Sequence, residues 1–339
     1  MKPEEFLKNI KEKDNVVIIF NNDGDGICSC ALLMKVLHPN KPFIISQPMP
    51  MDKNLIQRIQ TTLPNKIIFL DLAVDQQQGI LKKIGNIADI MIIDHHKFLK
   101  NLTSSHVIHV NPRFEKHDIY QSTSYLVYKI CSKICNMEDH LWIAAIGIIA
   151  DYDIRYSDDV MEKIKKKYSL SGSAYDSAFG KIANMISSAN AIKDITSEEI
   201  TEIVVKAKYP EDVMGNDKLI IAHDKIEKEI ESAMEDFDKN CEKHKGILFY
   251  NIKSKYNIAS PVVMRAMKSS AGIVIVYKKN GSKIKVSARS AKLDIAKIMK
   301  KAAEGLQASA GGHERAAGAL VSANDWETFK KRIVEIVNK

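Results

Sequence analysis

The chain has 339 residues, 45% of them hydrophobic, and a formal charge of +8 at pH 7. That length supports two hydrophobic cores, and no stretch is apolar for long enough to cross a membrane. The odd set of Cys28, Cys30, Cys131, Cys135 and Cys241 has no zinc-knuckle spacing, and the polar start Met1-Lys2-Pro3-Glu4-Glu5 lacks the apolar core of a secretory signal, so a cytoplasmic protein is expected.

In chain order, strands are predicted at 15–20, 43–46, 66–70, 90–93 and 106–110, alternating with helical segments, the first from Ile27 to Leu37. This alternation predicts a parallel α/β sheet covered on both faces. Helices are predicted at 122–136, 139–150, 158–168 and 173–189. From Ser197 to Lys245 the chain is charged and mostly helical, which reads as a connecting helix. Beyond it, strands at 247–252, 272–277, 283–288 and 317–321 predict a smaller mixed α/β domain. The expected domains are 1–190, a metal-binding catalytic domain, 191–245, a helical connector, and 246–339, a substrate-binding domain.

Acidic residues follow the apolar segments. The run ending at Phe20 leads into Asn21-Asn22-Asp23-Gly24-Asp25-Gly26, where glycines let the backbone turn sharply and approach a ligand. The run ending at Leu70 delivers Asp71, Ile90 to Ile93 delivers Asp94-His95-His96, and Trp142 to Ala150 delivers Asp151. Parallel sheets bind ligands in the crevice outside the carboxyl ends of their strands. Burying these segments would gather at least four carboxylates and one imidazole there, and carboxylates that close repel one another and take up protons unless a cation neutralises them. Oxygen-rich ligation with imidazole suits Mn²⁺ or Mg²⁺. Cys131 and Cys135 are expected in the core and Cys28 and Cys30 packed beneath the first loop. His38, His106, His109, His117, His140, His223 and His244 lack such neighbours and read as structural or exposed.

The Asp23-Gly24-Asp25-Gly26 turn, Leu70-Asp71-Leu72, Asp94-His95-His96 and Gly147-Ile148-Ile149-Ala150-Asp151 resemble, in order, the four motifs of the DHH phosphoesterases. Gly311-Gly312-His313-Glu314-Arg315-Ala316-Ala317-Gly318 is similar to the signature of the DHHA1 domain found with them. The two-domain layout resembles archaeal RecJ-like nucleases and the nanoRNases. The resemblance implies hydrolysis with two metal ions, Mn²⁺ or Mg²⁺. It implies Asp71 and Asp151 as bridging ligands, Asp23 on one ion, and Asp25 with His95 on the other. His96 is implied to act on the scissile phosphate or leaving oxygen, and Asp94 to orient an imidazole. Relatives often carry His or Asp where this chain has Asn21, a weaker ligand through its carbonyl oxygen.

From Gly246 to Lys339 there are 18 Lys and Arg against 6 Asp and Glu, so the positive charge belongs to the second domain, as a polyanion-gripping module requires. Arg289, ending a strand beside hydroxyls, offers the fork that matches phosphate, and the resemblance places such an arginine on the nucleotide. Gly311, Gly312 and His313 are expected to present backbone N–H groups and an imidazole to substrate. Arg113, after Asn111-Pro112, is a further candidate for phosphate. Ser122-Thr123-Ser124 reads as a helix N-cap whose dipole would assist an anion if it faced the metals.

The reading is a metal-dependent RecJ-like exonuclease that degrades single-stranded DNA or RNA to nucleoside monophosphates. One alternative is a nanoRNase or cyclic-dinucleotide phosphodiesterase acting on short oligonucleotides. Another is a replisome scaffold that binds the replication-fork GINS complex.

Overall fold

A computed structural model describes residues 1–37, 40–52, 54–77, 79–85, 87–192, 194–270 and 272–338, except for the side chain of His313. His38 therefore lies outside the described residues. The chain divides into two compact units, Met1–His223 and Asp224–Lys339.

The first unit begins with α1 (Pro3–Lys8), β1 (Val16–Phe20), α2 (Gly24–Leu37), β2 (Phe43–Ser46), α3 (Leu55–Thr61) and β3 (Lys66–Leu70). It continues through α4 (Ile80–Ile84), β4 (Asp89–Ile93) and β5 (Val107–Val110). The strands form one parallel sheet in the order β2-β1-β3-β4-β5. Unbroken runs such as Val16–Phe20 are buried at every residue because helices cover both faces. Val17, Ile19, Ile67 and Phe69 pack on one side with Leu55 and Ile59 of α3 and with Ile80 and Ile84 of α4.

Helices α5 (Thr123–Cys131), α6 (Leu141–Ala150), α7 (Asp158–Lys167), α8 (Ala178–Ile192) and α9 (Ser197–Lys206) follow. Helix α2 packs against α5, α6 and α9. The Ser197–Lys245 stretch is not one connecting helix. Glu198 of α9 accepts from the Ser46 N–H at 2.7 Å and from its hydroxyl at 2.8 Å, which fastens α9 to the end of β2. Helices α10 (Pro210–Met214) and α11 (Asp217–Asn240) come next, and the boundary between the units falls inside α11.

The second unit contains β6 (Glu242–His244), β7 (Ile247–Asn251), α12 (Ala259–Lys268), β8 (Ile273–Asn280) and β9 (Lys283–Ser290). It closes with α13 (Ile295–Ala303), β10 (Ala308–His313), β11 (Ala316–Ser322) and α14 (Trp326–Val337). Its sheet is mixed, in the order β10-β11-β9-β8-β7-β6, with β7 and β8 parallel and the other pairs antiparallel. Alternation along β9 buries Ile284, Val286 and Ala288 against Ile295 and Met299 of α13 and Phe329 and Ile333 of α14.

Two sequence expectations change here. Cys131 is buried as expected, but Cys135 is exposed beyond the end of α5. The glycines of the first motif are not at a sharp turn. They lie in the first turn of α2 and are required by close packing: a Cβ on Gly24 would come within 2.6 Å of Ala150 Cβ, and one on Gly26 within 2.1 Å of the Asn21 carbonyl oxygen.

Gly147 serves the same purpose at the contact of α6 with α5, where a Cβ would lie 2.3 Å from Ser124 Oγ and 3.0 Å from Cys28 Cβ. Gly147→Ala is expected to lower stability by about 1–3 kcal/mol, the usual cost of overpacking, read as a lower urea midpoint with unchanged slope.

Candidate metal centre

The parallel register sets Phe20, Leu70 and Ile93 side by side, with Val110 beyond Ile93. The residues that follow leave the sheet in one row. Asn21 N–H donates to Leu70 O (3.1 Å), Asp71 N–H to Ile93 O (2.9 Å), and Asp94 N–H to Val110 O (3.0 Å). Asp71 holds a left-handed backbone, φ 59°, which short polar residues tolerate better than most.

Helices bring in the other carboxylates. Asp25 lies in the first turn of α2 and is 1% exposed; its two oxygens accept the N–H groups of Thr123 (2.7 Å) and Ser124 (2.8 Å), the first residues of α5. Asp151 is the C-cap of α6, so this acidic residue ends a helix and not a strand. Its Oδ1 accepts from the Tyr120 hydroxyl at 3.0 Å. His95 is buried among them, with Nε2 3.1 Å from Asp71 Oδ1 and Nδ1 3.5 Å from Asp151 Oδ2. His96, partly exposed, places Nδ1 2.7 Å from Asp94 Oδ1 and 3.8 Å from Asp71 Oδ1.

Two groups of donor atoms result, Asp71 with His95 and His96, and Asp25 with His95 and Asp151. Within each group the donor atoms lie within 4.8 Å of one another. His95 Nδ1 and Asp151 Oδ2 are buried and make no hydrogen bond, a costly state for two polar atoms that a cation would relieve. Carboxylate and imidazole donors suit a hard divalent ion, and the arrangement is consistent with a two-metal site. A neutral imidazole has a single lone pair for coordination. His95 can therefore ligate in one group while its N–H faces the carboxylate of the other.

Electrostatics give the same account. Burial, together with repulsion from Asp71, pushes Asp25 up to about 8. Burial raises Asp71 to about 6, with Asp94 adding to the rise and His96 opposing it. Burial and then Asp25 and Asp71 hold Asp151 well above the carboxylate range. Burial and the nearby His96 lower His95 and keep it neutral. For His96, burial works against the charge, but Asp94 and then Asp71 outweigh it and push the imidazole up to about 10. The pair's effect on Asp94 is reciprocal: burial would raise it, and His96 brings it below the usual range.

In the second unit, a cavity of ≈ 330 Å³ is lined by Arg289 and Lys285 of β9, Gly312 of β10, Ser260 of α12 and neighbouring residues. Arg289 donates from Nη2 to Ser260 Oγ (3.1 Å) and from Nη1 to its neighbour's carbonyl, Ala288 O (3.0 Å). Gly312 has φ 138°, and a Cβ there would meet Ala316 O at 2.3 Å, so only glycine fits.

Residues 15–151 match the DHH family, N-terminal domain, and residues 256–339 match the DHHA1 domain. The chain belongs to the DHH/DHHA1 family. No curated protein sequence matches it. Among solved structures it is similar to RecJ from Thermus thermophilus in complex with Mn²⁺, at TM-score 0.74 and 16% identity, over 98% of this chain and 53% of that one. The chain thus spans about half the length of that relative. It is also similar to an exonuclease RecJ bound to manganese (TM-score 0.67, 16% identity, 99% and 93% covered). A third likeness is to a pGpG-specific phosphodiesterase from Vibrio cholerae (TM-score 0.53, 11% identity, 96% and 99% covered).

Within this DHH domain, the structure brings together Asp25, Asp71, Asp94, His95, His96 and Asp151. Asp23 stands at the exposed edge, its Oδ1 accepting the Gly26 N–H (2.9 Å) and its Oδ2 the Asn21 amide (2.6 Å). Asn21 also donates to Asp71 Oδ2 (3.1 Å), so its amide nitrogen bridges the carboxyl groups of Asp23 and Asp71. His96, expected on the phosphate, lies in a donor group with Asp71. Arg113 is buried, with Nε on His95 O (2.8 Å) and Nη1 on His117 O (2.8 Å), so its fork supports the motif's main chain instead of being free for phosphate. Ser122 caps α5 as expected, accepting from Tyr125 N–H, but the helix's leading N–H groups are taken by Asp25. In the DHHA1 domain, Arg289 and Gly312 share the cavity. Gly311 lies on the same edge strand, opposite Gly318, while the side chain of His313 is outside the description. Tyr120, which holds Asp151 from 31 residues away, had no sequence signal beyond being aromatic.

A carboxyl whose folded-state pKa is raised supports the fold below its unfolded value and loses that support as pH rises through the folded one. Asp25, raised to about 8, and His96, raised to about 10, act in the same direction above pH 6.5. In chelator the melting temperature is expected to fall between pH 6.5 and 8.5, and Mn²⁺ is expected to abolish that fall. A flat chelator profile would show that the carboxylates are not in conflict. Tyr120→Phe, which removes the hydroxyl on Asp151, is expected to weaken Mn²⁺ binding about 10- to 100-fold by calorimetry.

Proposed function

We propose that the protein is a Mn²⁺- or Mg²⁺-dependent phosphodiesterase that hydrolyses single-stranded DNA or RNA from an end, releasing nucleoside monophosphates. The observation that carries this reading is the pair of donor groups sharing His95, Asp71-His95-His96 and Asp25-His95-Asp151, in a DHH domain followed by a DHHA1 domain. Asp25, Asp71, Asp151 and His95 would hold the ions, with Asp23 at the rim and His96 beside them, facing the phosphate. Bound there, a pair of divalent ions supplies charge stabilisation to the attacking and leaving oxygens of an in-line displacement at phosphorus.

The chain's own groups set up that displacement. Asp94 fixes the orientation and charge of His96, which at neutral pH offers a proton beside Asp71 for the phosphate or leaving oxygen. Arg113 anchors the His95 main chain, and Tyr120 holds the Asp151 carboxylate. Arg289 and Lys285, with the backbone at Gly312, form a basic recess for a second phosphate or the terminal nucleotide.

A shorter substrate is the second reading. It is supported by the likeness to a pGpG-specific phosphodiesterase, which extends over 96% of this chain and 99% of that one. Association with GINS is a separate binding role, and the intact set of carboxylates argues against a scaffold alone.

The test uses DNA and RNA strands from 2 to about 20 nucleotides, a range set by single-strand groove lengths, labelled at either end and incubated with Mn²⁺, Mg²⁺ or chelator. Monophosphate release that requires metal and disappears in Asp151→Ala is expected. Turnover in chelator would sink the mechanism, and stalling above about five nucleotides would select the short-substrate reading.

A further inference from the structure

Helix α6 ends in a paired hydrogen-bond pattern: Tyr152 N–H donates to Ile149 O (3.2 Å) and Asp153 N–H to Ile148 O (3.0 Å). In that pattern the residue after the C-cap adopts a left-handed backbone, a place usually taken by glycine. Here it is Tyr152, with φ 58° and 59% exposure. A bulky residue at positive φ is a true outlier, and such strain gathers at functional sites. Packing gives no reason to keep so large an exposed side chain where glycine would relieve the backbone.

The Tyr152 ring lies against Tyr175, itself 39% exposed, with centroids 5.4 Å apart and planes tilted by 30°. The Tyr175 segment is well anchored. Ser173 Oγ accepts the Tyr175 N–H at 3.3 Å, and Gly180 of α8 sits so close that a Cβ there would come within 2.0 Å of Tyr175 O. On the other side, Asp153 is fully buried and accepts the Ser122 N–H at 2.6 Å, tying the Tyr152 turn to the cap of α5. An exposed aromatic pair is therefore held on a rigid turn, one residue from Asp151.

We propose that Tyr152 and Tyr175 form a stacking surface for a nucleobase of one of the two nucleotides flanking the phosphate at the carboxylate cluster. The inference rests on the nucleotide reading above and adds the group that recognises the base. Any base has a π-face, so the surface accepts all four and gives affinity without sequence preference.

The test compares the Mn²⁺-loaded wild type with Tyr152→Gly, Tyr152→Phe and Tyr175→Ala. The substrates are short single strands, intact or abasic at either nucleotide flanking the scissile bond. Tyr152→Gly is expected to melt at a higher temperature than the wild type, because glycine relieves the backbone. It is nevertheless expected to raise KM for the intact strand about 5- to 150-fold, the range of base-on-aromatic stacking, with kcat within about twofold. Tyr175→Ala should follow it in KM, and Tyr152→Phe should match the wild type. One of the abasic strands should erase the difference between wild type and Tyr152→Gly. Equal loss on intact and both abasic strands, or no loss on any, would overturn the stacking surface. A wild type inert towards every strand would instead overturn the nucleotide reading itself.

Discussion

Repulsion among buried carboxylates is the constraint on which the first unit depends. Asp25, Asp71, Asp94 and Asp151 are gathered at one edge of the sheet, and the first three are about 1% exposed. Water cannot screen them, so each is offset by a donor, three of them from distant segments: the α5 N–H groups for Asp25, Asn21 and Thr123 for Asp71, and Tyr120 for Asp151, while His96, two residues on, serves Asp94. The contacts of α2 with α5 and α6 are therefore electrostatic requirements as well as hydrophobic ones. Gly24 and Gly147 permit the close approach that those hydrogen bonds need.

Asn21 fits the same constraint. An aspartate there would set another negative charge beside Asp23 and Asp71, whereas the amide donates to both. What reads in the sequence as a weakened metal ligand is, in three dimensions, a clamp that holds two carboxylates at a fixed separation.

Much of this was legible in the sequence because fully buried parallel strands must be continuous apolar runs. β2 and β3 fall at their expected residues, and β1, β4 and β5 differ from expectation by one residue at the start. The acidic strand ends followed directly. Less visible was anything fixed by contacts between remote segments. No periodicity shows that α9 belongs against α2 and β2, that Arg113 turns inward to two carbonyls, or that Tyr120 reaches Asp151. Gly311-Gly312-His313 carries no strand signal because glycine disfavours strands, yet pairing with β11 makes it an edge strand. Similarly, Tyr152 occupies a glycine position, so its place in the α6 cap had no compositional mark.

These arrangements also decide where positive charge for an anionic substrate can come from. The N-terminus of α5 would attract phosphate, but its leading N–H groups are spent on Asp25. The guanidinium of Arg113 is spent on main-chain carbonyls. His96 is the one cationic side chain among the ligand groups, and Asp94 already offsets its charge. A phosphodiester approaching the cluster would therefore meet net negative charge from the protein. Cations are needed twice over, to ionise the buried carboxylates and to reverse the sign of the field that the substrate encounters. The proposed role of metal thus follows from how the protein has used its own donors.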